Sequence, residues 1–239
     1  MPQANSLDEV TPSPATSAAR HFAWWQAWTR SLFLPTPENY RTLIADPSAG
    51  ARRALTWLAM AGLMLFVVRL LGMQLIDEFG AYSRALARGV SWTEHLSMAL
   101  ELVLLVVFSV LAAASSAHGI ARGLGGKGRW SISFYAFAVF SAPLWVLFGV
   151  VLILGVDLPT SVFDFSDLDD MGQPYFLVLI GLCLGAPLAL IYLFALDVVA
   201  LASVHERHGA RTLVAALPAI VVQTLGLAVA TVTWFTRGL

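Results

Sequence analysis

The sequence predicts an all-α, polytopic integral membrane protein with five transmembrane helices. Three observations carry that class. The chain is 58% hydrophobic and only 12% charged, with a mean hydropathy of +0.75. A soluble domain carries about a quarter of its residues as charges, so there is too little polar surface here to cover a core in water. Five stretches reach the roughly 20 apolar residues that a bilayer-crossing helix needs. Of 14 basic and 15 acidic side chains, only Arg69, Glu101 and Asp197 fall inside those stretches.

In chain order, residues 1–19 form a polar tail rich in Ser, Pro and Thr, which reads as disordered. Asp8 and Glu9 stand where a secretory signal would carry bases, so membrane insertion is expected from later, uncleaved segments. Residues 20–53 form a cytoplasmic segment. Phe22, Trp25, Trp28, Leu32 and Phe33 recur at helical spacing, with Arg20, Gln26 and Arg30 between them. Trp24, Trp25 and Trp28 beside arginines suit an amphipathic helix lying in the membrane interface, too short to span at about 14 residues. The alternative is a helix that simply packs on its neighbours. Thr36 before Pro37 reads as an N-cap followed by proline at the first helical position, and Asp46 before Pro47 repeats that arrangement.

Residues 54–239 then hold the five spans, at about 55–76, 96–117, 134–154, 176–202 and 213–235. The fourth exceeds the bilayer thickness and should tilt or project. Orientation follows from the connections. Arg52, Arg53, Arg122, Lys127, Arg129 and Arg211 lie on the side of the N-terminus, with only Arg84, Arg88 and Arg237 on the other. The acidic connection with Asp157, Asp164, Asp167, Asp169 and Asp170 is on that second side. The positive-inside rule therefore places the N-terminus in the cytoplasm and the C-terminus outside.

Several function classes fall away on composition. A net charge of −1 argues against a nucleic-acid-binding face. Cys183 is the sole cysteine, so neither a disulfide framework nor a cysteine zinc site is available. GLGGKG at Gly123–Gly128 spells a dinucleotide fingerprint, yet it sits between two membrane helices and the next acid is Asp157. A fingerprint needs a strand before it and an acid about 20 residues on. Its glycines are expected to end one helix in a left-handed turn and reverse the chain. Lys127 and Arg129 would face lipid headgroups or a partner's acids.

The intramembrane charges are the remaining candidates. Arg69 and Glu101 lie on consecutive antiparallel spans, and pairing would relieve about 2.5–3.5 kcal/mol of insertion cost for each. A polar transport path and snorkelling of Arg69 are the alternatives. Asp197, with Tyr192 and Ser203 close in sequence and His118, Arg122 or Arg207 within reach, suits a conformational lock or loop anchor. Pro143, Pro187 and Pro218 should bend three spans, while Gly181, Gly185, Ala186, Gly226, Ala228 and Ala230 permit close helix contacts. His205 and His208 are spaced as on one helix face but lack a third ligand, and DLDDMG fails as a calcium loop at Met171 and Val178. No cofactor or metal is expected, and no catalytic constellation stands out.

The stretches LFLPTPENYRTLIADPSA, ARGLGGKGRWSISFYAFAVFSAPLWVL and LDVVALASVHERHGARTLVAALPAI, in this order, resemble the Yip-one domain family of five-span membrane proteins. The resemblance covers roughly residues 30 to 236. It implies an N-cytoplasmic helical bundle without established chemistry. Eukaryotic members bind small GTPases or one another. The Asp-Leu-Tyr-Gly-Pro stretch of that branch is absent here, so GTPase binding does not carry over, and a prokaryotic cytoplasmic-membrane member is the better fit. The expected function is a non-enzymatic adaptor or organiser working through lipid, other membrane proteins or copies of itself. Its expected surfaces are Trp24, Trp25 and Trp28 and the basic residues Arg122, Lys127 and Arg129. A small transporter subunit using Arg69, Glu101 and Asp197 is the alternative.

Overall fold

A computed structural model describes residues 21–78, 92–153, 174–206 and 208–236. The polar tail, the connection with Arg84 and Arg88, the acidic connection, Arg207 and Arg237 lie outside the described residues. Among the described residues there are seven helices and no strands. They are α1 (Trp24–Phe33), α2 (Pro37–Ile44), α3 (Ala51–Glu78), α4 (Trp92–Gly123), α5 (Trp130–Leu152), α6 (Pro174–His205) and α7 (Ala210–Thr236). The last five are long and apolar enough to cross a membrane, so the chain has the architecture of an integral membrane protein.

The arrangement follows from where each helix is apolar. In α5, 67% of the most apolar window is buried, against 33–39% in the other four long helices. A helix apolar on every side is stable only when surrounded, and α5 packs against α3, α4, α6 and both short helices. The other four keep rows of Leu, Val and Phe outward, such as Leu63, Val67 and Leu71 on α3 and Leu217, Val221 and Leu225 on α7. Exposed apolar surface of this extent is what acyl chains cover. Gly62 brings α3 against the backbone of α4, where an added Cβ would lie 2.6 Å from Val103 Cα. Gly226 brings α7 against the Ser109 side chain of α4, where an added Cβ would strike Ser109 Oγ. Gly185 and Ala186, in contrast, are exposed, and among the described residues nothing lies within 4 Å of a Cβ added at Gly185.

The short helices form a hairpin. Thr36 Oγ1 accepts a hydrogen bond from the Asn39 backbone N–H at 3.2 Å and Pro37 opens α2, as the sequence predicts. The side chain of Asn39 then donates to the carbonyls of Arg30 and Leu34, both at 2.9 Å. Those carbonyls, which also accept from the Leu34 and Thr36 N–H groups, lie at the end of α1, so one residue of α2 ties the end of the preceding helix to its own. The second expected cap is different. Helix α3 begins at Ala51, and Asp46 instead closes a turn in which its carboxylate accepts from the Ser48 N–H at 2.9 Å.

Candidate lipid and partner surfaces

The hairpin is clasped at one end and docked along its length. Asp46 accepts from the Phe22 N–H at 3.0 Å, from Ser48 Oγ at 2.6 Å and from Arg53 Nη1 at 2.6 Å. Arg53 Nη2 also donates to the Phe22 carbonyl, and its guanidinium lies 4.6 Å from the Trp57 ring centroid. Burial alone would push the Asp46 carboxyl upward. Hydrogen bonds from Ser48, from the Phe22 and Ser48 backbone and from Arg53 outweigh it and hold the group well below the usual carboxylate range. The entry to α1 is thereby tied to the entry of α3.

Deeper along the hairpin, one contact uses a backbone carbonyl that proline sets free. Pro143 has no N–H, so the carbonyl of Val139, four residues earlier in α5, lacks its helical donor. The buried Ser31 hydroxyl of α1 lies 3.1 Å from that carbonyl and 2.9 Å from its own Trp28 carbonyl, sharing one proton between them. On α6, Tyr192 donates to the Leu32 carbonyl, and Ser203 Oγ sits 3.3 Å from the Pro37 carbonyl. The fully buried Tyr40 stands between these points. Burial raises its phenol well above its ordinary value, and the neighbouring Asp197 and then Tyr192 raise it further.

This docking separates the three tryptophans. Trp28 is buried against the bundle, with its indole edge-on to Trp24 at a centroid distance of 4.9 Å. Trp24 and Trp25 are exposed, as are Phe33 and Leu34 at the far end of α1. The packed alternative thus describes the inner face of α1, and the aromatic surface expected at the interface is reduced to Trp24 and Trp25.

Asp197 is fully buried and accepts from Gln223 Nε2 of α7 at 3.2 Å. Of the partners within sequence reach, His118 and Arg122 do not pair with it, and Arg207 lies outside the described residues. Arg69, also buried, donates through Nη2 to the Trp234 carbonyl at 3.0 Å, its guanidinium 5.0 Å from the Trp234 ring centroid. That carbonyl belongs to α7, so a cation carried by α3 is joined directly to the backbone of another span. Glu101 accepts from Ser97 Oγ at 3.3 Å, one turn earlier on α4. The described contacts of Arg69 and Glu101 therefore run to Trp234 and Ser97 and not to each other.

The glycine-rich loop is a helix stop with a docking partner. Gly125, at φ 89°, donates to the Arg122 carbonyl, and Gly126 donates to the Ala121 carbonyl at 2.8 Å. These are the two bonds of a Schellman ending, which requires the left-handed residue that glycine supplies. Gly126 and Gly128 then lie against α6, where an added Cβ would strike His205 and Val204. The Gly128 N–H donates to His205 Nδ1 at 3.2 Å, so the ring's own proton sits on Nε2, 3.3 Å from Ser133 Oγ. Ser133 in turn lies 2.8 Å from His118 Nδ1. His205 therefore turns inward to the loop while His208 is exposed, and the two do not share a helix face. Among the described residues no group of three metal-ligating side chains forms. Arg122, Lys127 and Arg129 are all exposed, free to meet an anionic surface.

Three features were missed at the level of sequence. The Asp46–Arg53 clasp joins residues that merely flank a helix start. Ser31 was legible only by counting four residues back from Pro143. The His118–Ser133–His205 chain links three different helices, and no spacing rule connects them.

Fold and surfaces together define an all-helical integral membrane protein with a short helical hairpin packed onto its bundle. No protein family, no curated protein and no solved structure matches the chain.

Proposed function

We propose that the chain is a non-enzymatic membrane organiser of the Yip-one type in a prokaryotic cytoplasmic membrane. Its N-terminus and hairpin would face the cytoplasm, and it would act through contacts with lipid, other membrane proteins or copies of itself. One observation carries the reading. The hairpin commits its inner face to α5 and α6 and presents Trp24, Trp25, Phe33 and Leu34 outward, and the turn between α4 and α5 exposes the cations Arg122, Lys127 and Arg129. The described contacts of Arg69, Asp197 and His205 run to internal partners, which suits a scaffold better than a conduit. Cross-linking in membranes followed by pull-down should recover a specific partner or oligomer. Recovery of none, together with solute flux in proteoliposomes, would reverse the reading.

A second reading, as a small transporter subunit, rests on Asp197 and Gln223. Asp197 Oδ2 and Gln223 Oε1 are buried acceptors that make no hydrogen bond among the described residues. An acceptor pair of this kind inside a bundle suits a transported cation or proton. Asp197→Asn abolishing a measured flux would favour it.

A further inference from the structure

We propose that the outer face of α1 carries a binding site for the headgroup of an anionic phospholipid, with Arg30 as its principal ligand. The proposal rests on the membrane reading above and names the partner of that surface.

The inclination of α1 is the first observation. Its entry at Phe22 is tied to Asp46 and Arg53, at the rim where α3 begins. Near its other end, Ser31 meets Val139, nine residues into α5 from Trp130. At 1.5 Å per residue that is about 13 Å below the rim. Helix α1 therefore slants inward along the bundle instead of lying flat on it.

The side chains follow that slope. Trp24 and Trp25 are exposed at the rim end, where amphipathic rings settle in a bilayer, while Phe33 at 79% and Leu34 at 55% exposure mark the deep end. Arg30 branches from the deep half, beside Ser31, yet its guanidinium returns to within 5.0 Å of the Phe22 ring centroid. A long cationic side chain that climbs from acyl-chain depth to the rim is snorkelling. The pattern of rim aromatics, deep aliphatics and a climbing arginine is that of one leaflet.

A binding site lies where the guanidinium arrives. His21, Phe22, Trp25, Gln26, Thr29 and Arg30 line a surface depression of about 440 Å³. Among the described residues the Arg30 guanidinium makes no hydrogen bond or ion pair, so its five N–H donors are open. Gln26 Oε1 accepts from the Ala23 N–H at 3.2 Å, which leaves the amide NH₂ for a ligand. The Thr29 hydroxyl is directed to the Trp25 carbonyl at 2.8 Å and shapes the wall without donating to a ligand. The nearby Asp46 carboxylate is already matched by Arg53, and His21 Nδ1 lies 3.4 Å from it. What remains is one unmatched cation and an amide donor beside an indole, at headgroup height. A phosphodiester, anionic and composed of acceptors, is its complement.

The test uses the full-length protein in detergent with equal amounts of phosphatidylglycerol and phosphatidylcholine of matched acyl chains, the retained lipid being counted by native mass spectrometry. The wild type should retain phosphatidylglycerol preferentially. Arg30→Gln should lower that preference roughly fivefold, the value of about 1 kcal/mol per surface arginine. Gln26→Glu keeps the bond to the Ala23 N–H but adds a negative charge, and it should lower the preference while leaving the fold intact. Arg211→Gln, the same charge change elsewhere on the exposed surface, should leave it unchanged. Equal losses in Arg30→Gln and Arg211→Gln, or no loss in Arg30→Gln, would overturn the site. Loss of the preference on adding inorganic phosphate would reassign it to a free anion and overturn the lipid proposal as well. Failure of the membrane reading is distinguishable, because the protein would then be released from membranes by alkaline carbonate without detergent.

Discussion

Two seams of the molecule are built on opposite principles. Helices α4 and α7 approach through small residues. Gly226 lies on Ser109, and about half of the buried positions of the two helices are alanine, including Ala113, Ala114 and Ala117 on α4 and Ala215, Ala216 and Ala219 on α7. Small side chains let long helices close without a polar contact, by dispersion over many atoms. The hairpin seam has the reverse character. Helices α1 and α2 span 10 and 8 residues, too few to hold a position by packing alone. They are registered by Asp46–Arg53, Ser31–Val139, Tyr192–Leu32 and Asn39. A long seam tolerates the loss of a hydrogen bond and fails when a side chain is added. A short one behaves the other way round.

That contrast can be broken at named positions. The largest effect is expected at the clasp. Asp46→Ala removes the acceptor of four hydrogen bonds and should cost about 3 kcal/mol, as for one partner of a buried ion pair. Limited proteolysis should then cut within α1 or α2 while α3 to α7 stay protected, and an unchanged digest would refute the clasp. The pH dependence has a defined sign. Because the Asp46 carboxyl is held below its ordinary value, its contribution is complete above about pH 4 and is lost as the pH falls through its own lower value. The wild-type hairpin should therefore stay protected on going from neutral pH to pH 4 and loosen only in stronger acid.

Next in size is Gly226→Val, which should cost about 2 kcal/mol by overpacking against Ser109. Its lower unfolding temperature in detergent should appear without new cleavage in the hairpin. The smallest effect belongs to Ser31→Ala. It leaves the Val139 carbonyl without a donor, at about 1 kcal/mol. Hydrogen exchange should quicken in α1 more than in α7, and equal change in both would remove the distinction between the seams.

The five spans were legible because a bilayer demands about 20 apolar residues in a row, and that demand is local. The GLGGKG turn was legible too, since a Schellman ending uses consecutive residues. Thr36–Pro37 was read correctly and Asp46–Pro47 was not. The two look alike in sequence, but a half-buried arginine from the next helix and the Phe22 amide redirect the second carboxylate. Asp197 stood out as an intramembrane acid, yet its partner Gln223 lies 26 residues away on another helix. Arg69 was matched in sequence to the nearest opposite charge. Its described contact is the Trp234 carbonyl of α7, visible only once the helices are assembled.

By itself, then, the sequence determined the class, the number and approximate limits of the spans, and the way the basic connection turns. Hydropathy, helix length and turn chemistry act over a few residues or one helix, so they can be read along the chain. Tertiary structure alone decided that α5 is central, that α1 slants inward, and which partner each polar side chain takes. Those outcomes depend on which backbone groups find a partner when helices meet: the Val139 carbonyl above Pro143 with Ser31, the Trp234 carbonyl with Arg69, the Gly128 amide with His205. Unsatisfied groups in a low-dielectric interior take the nearest complement in space, however far away it lies in sequence.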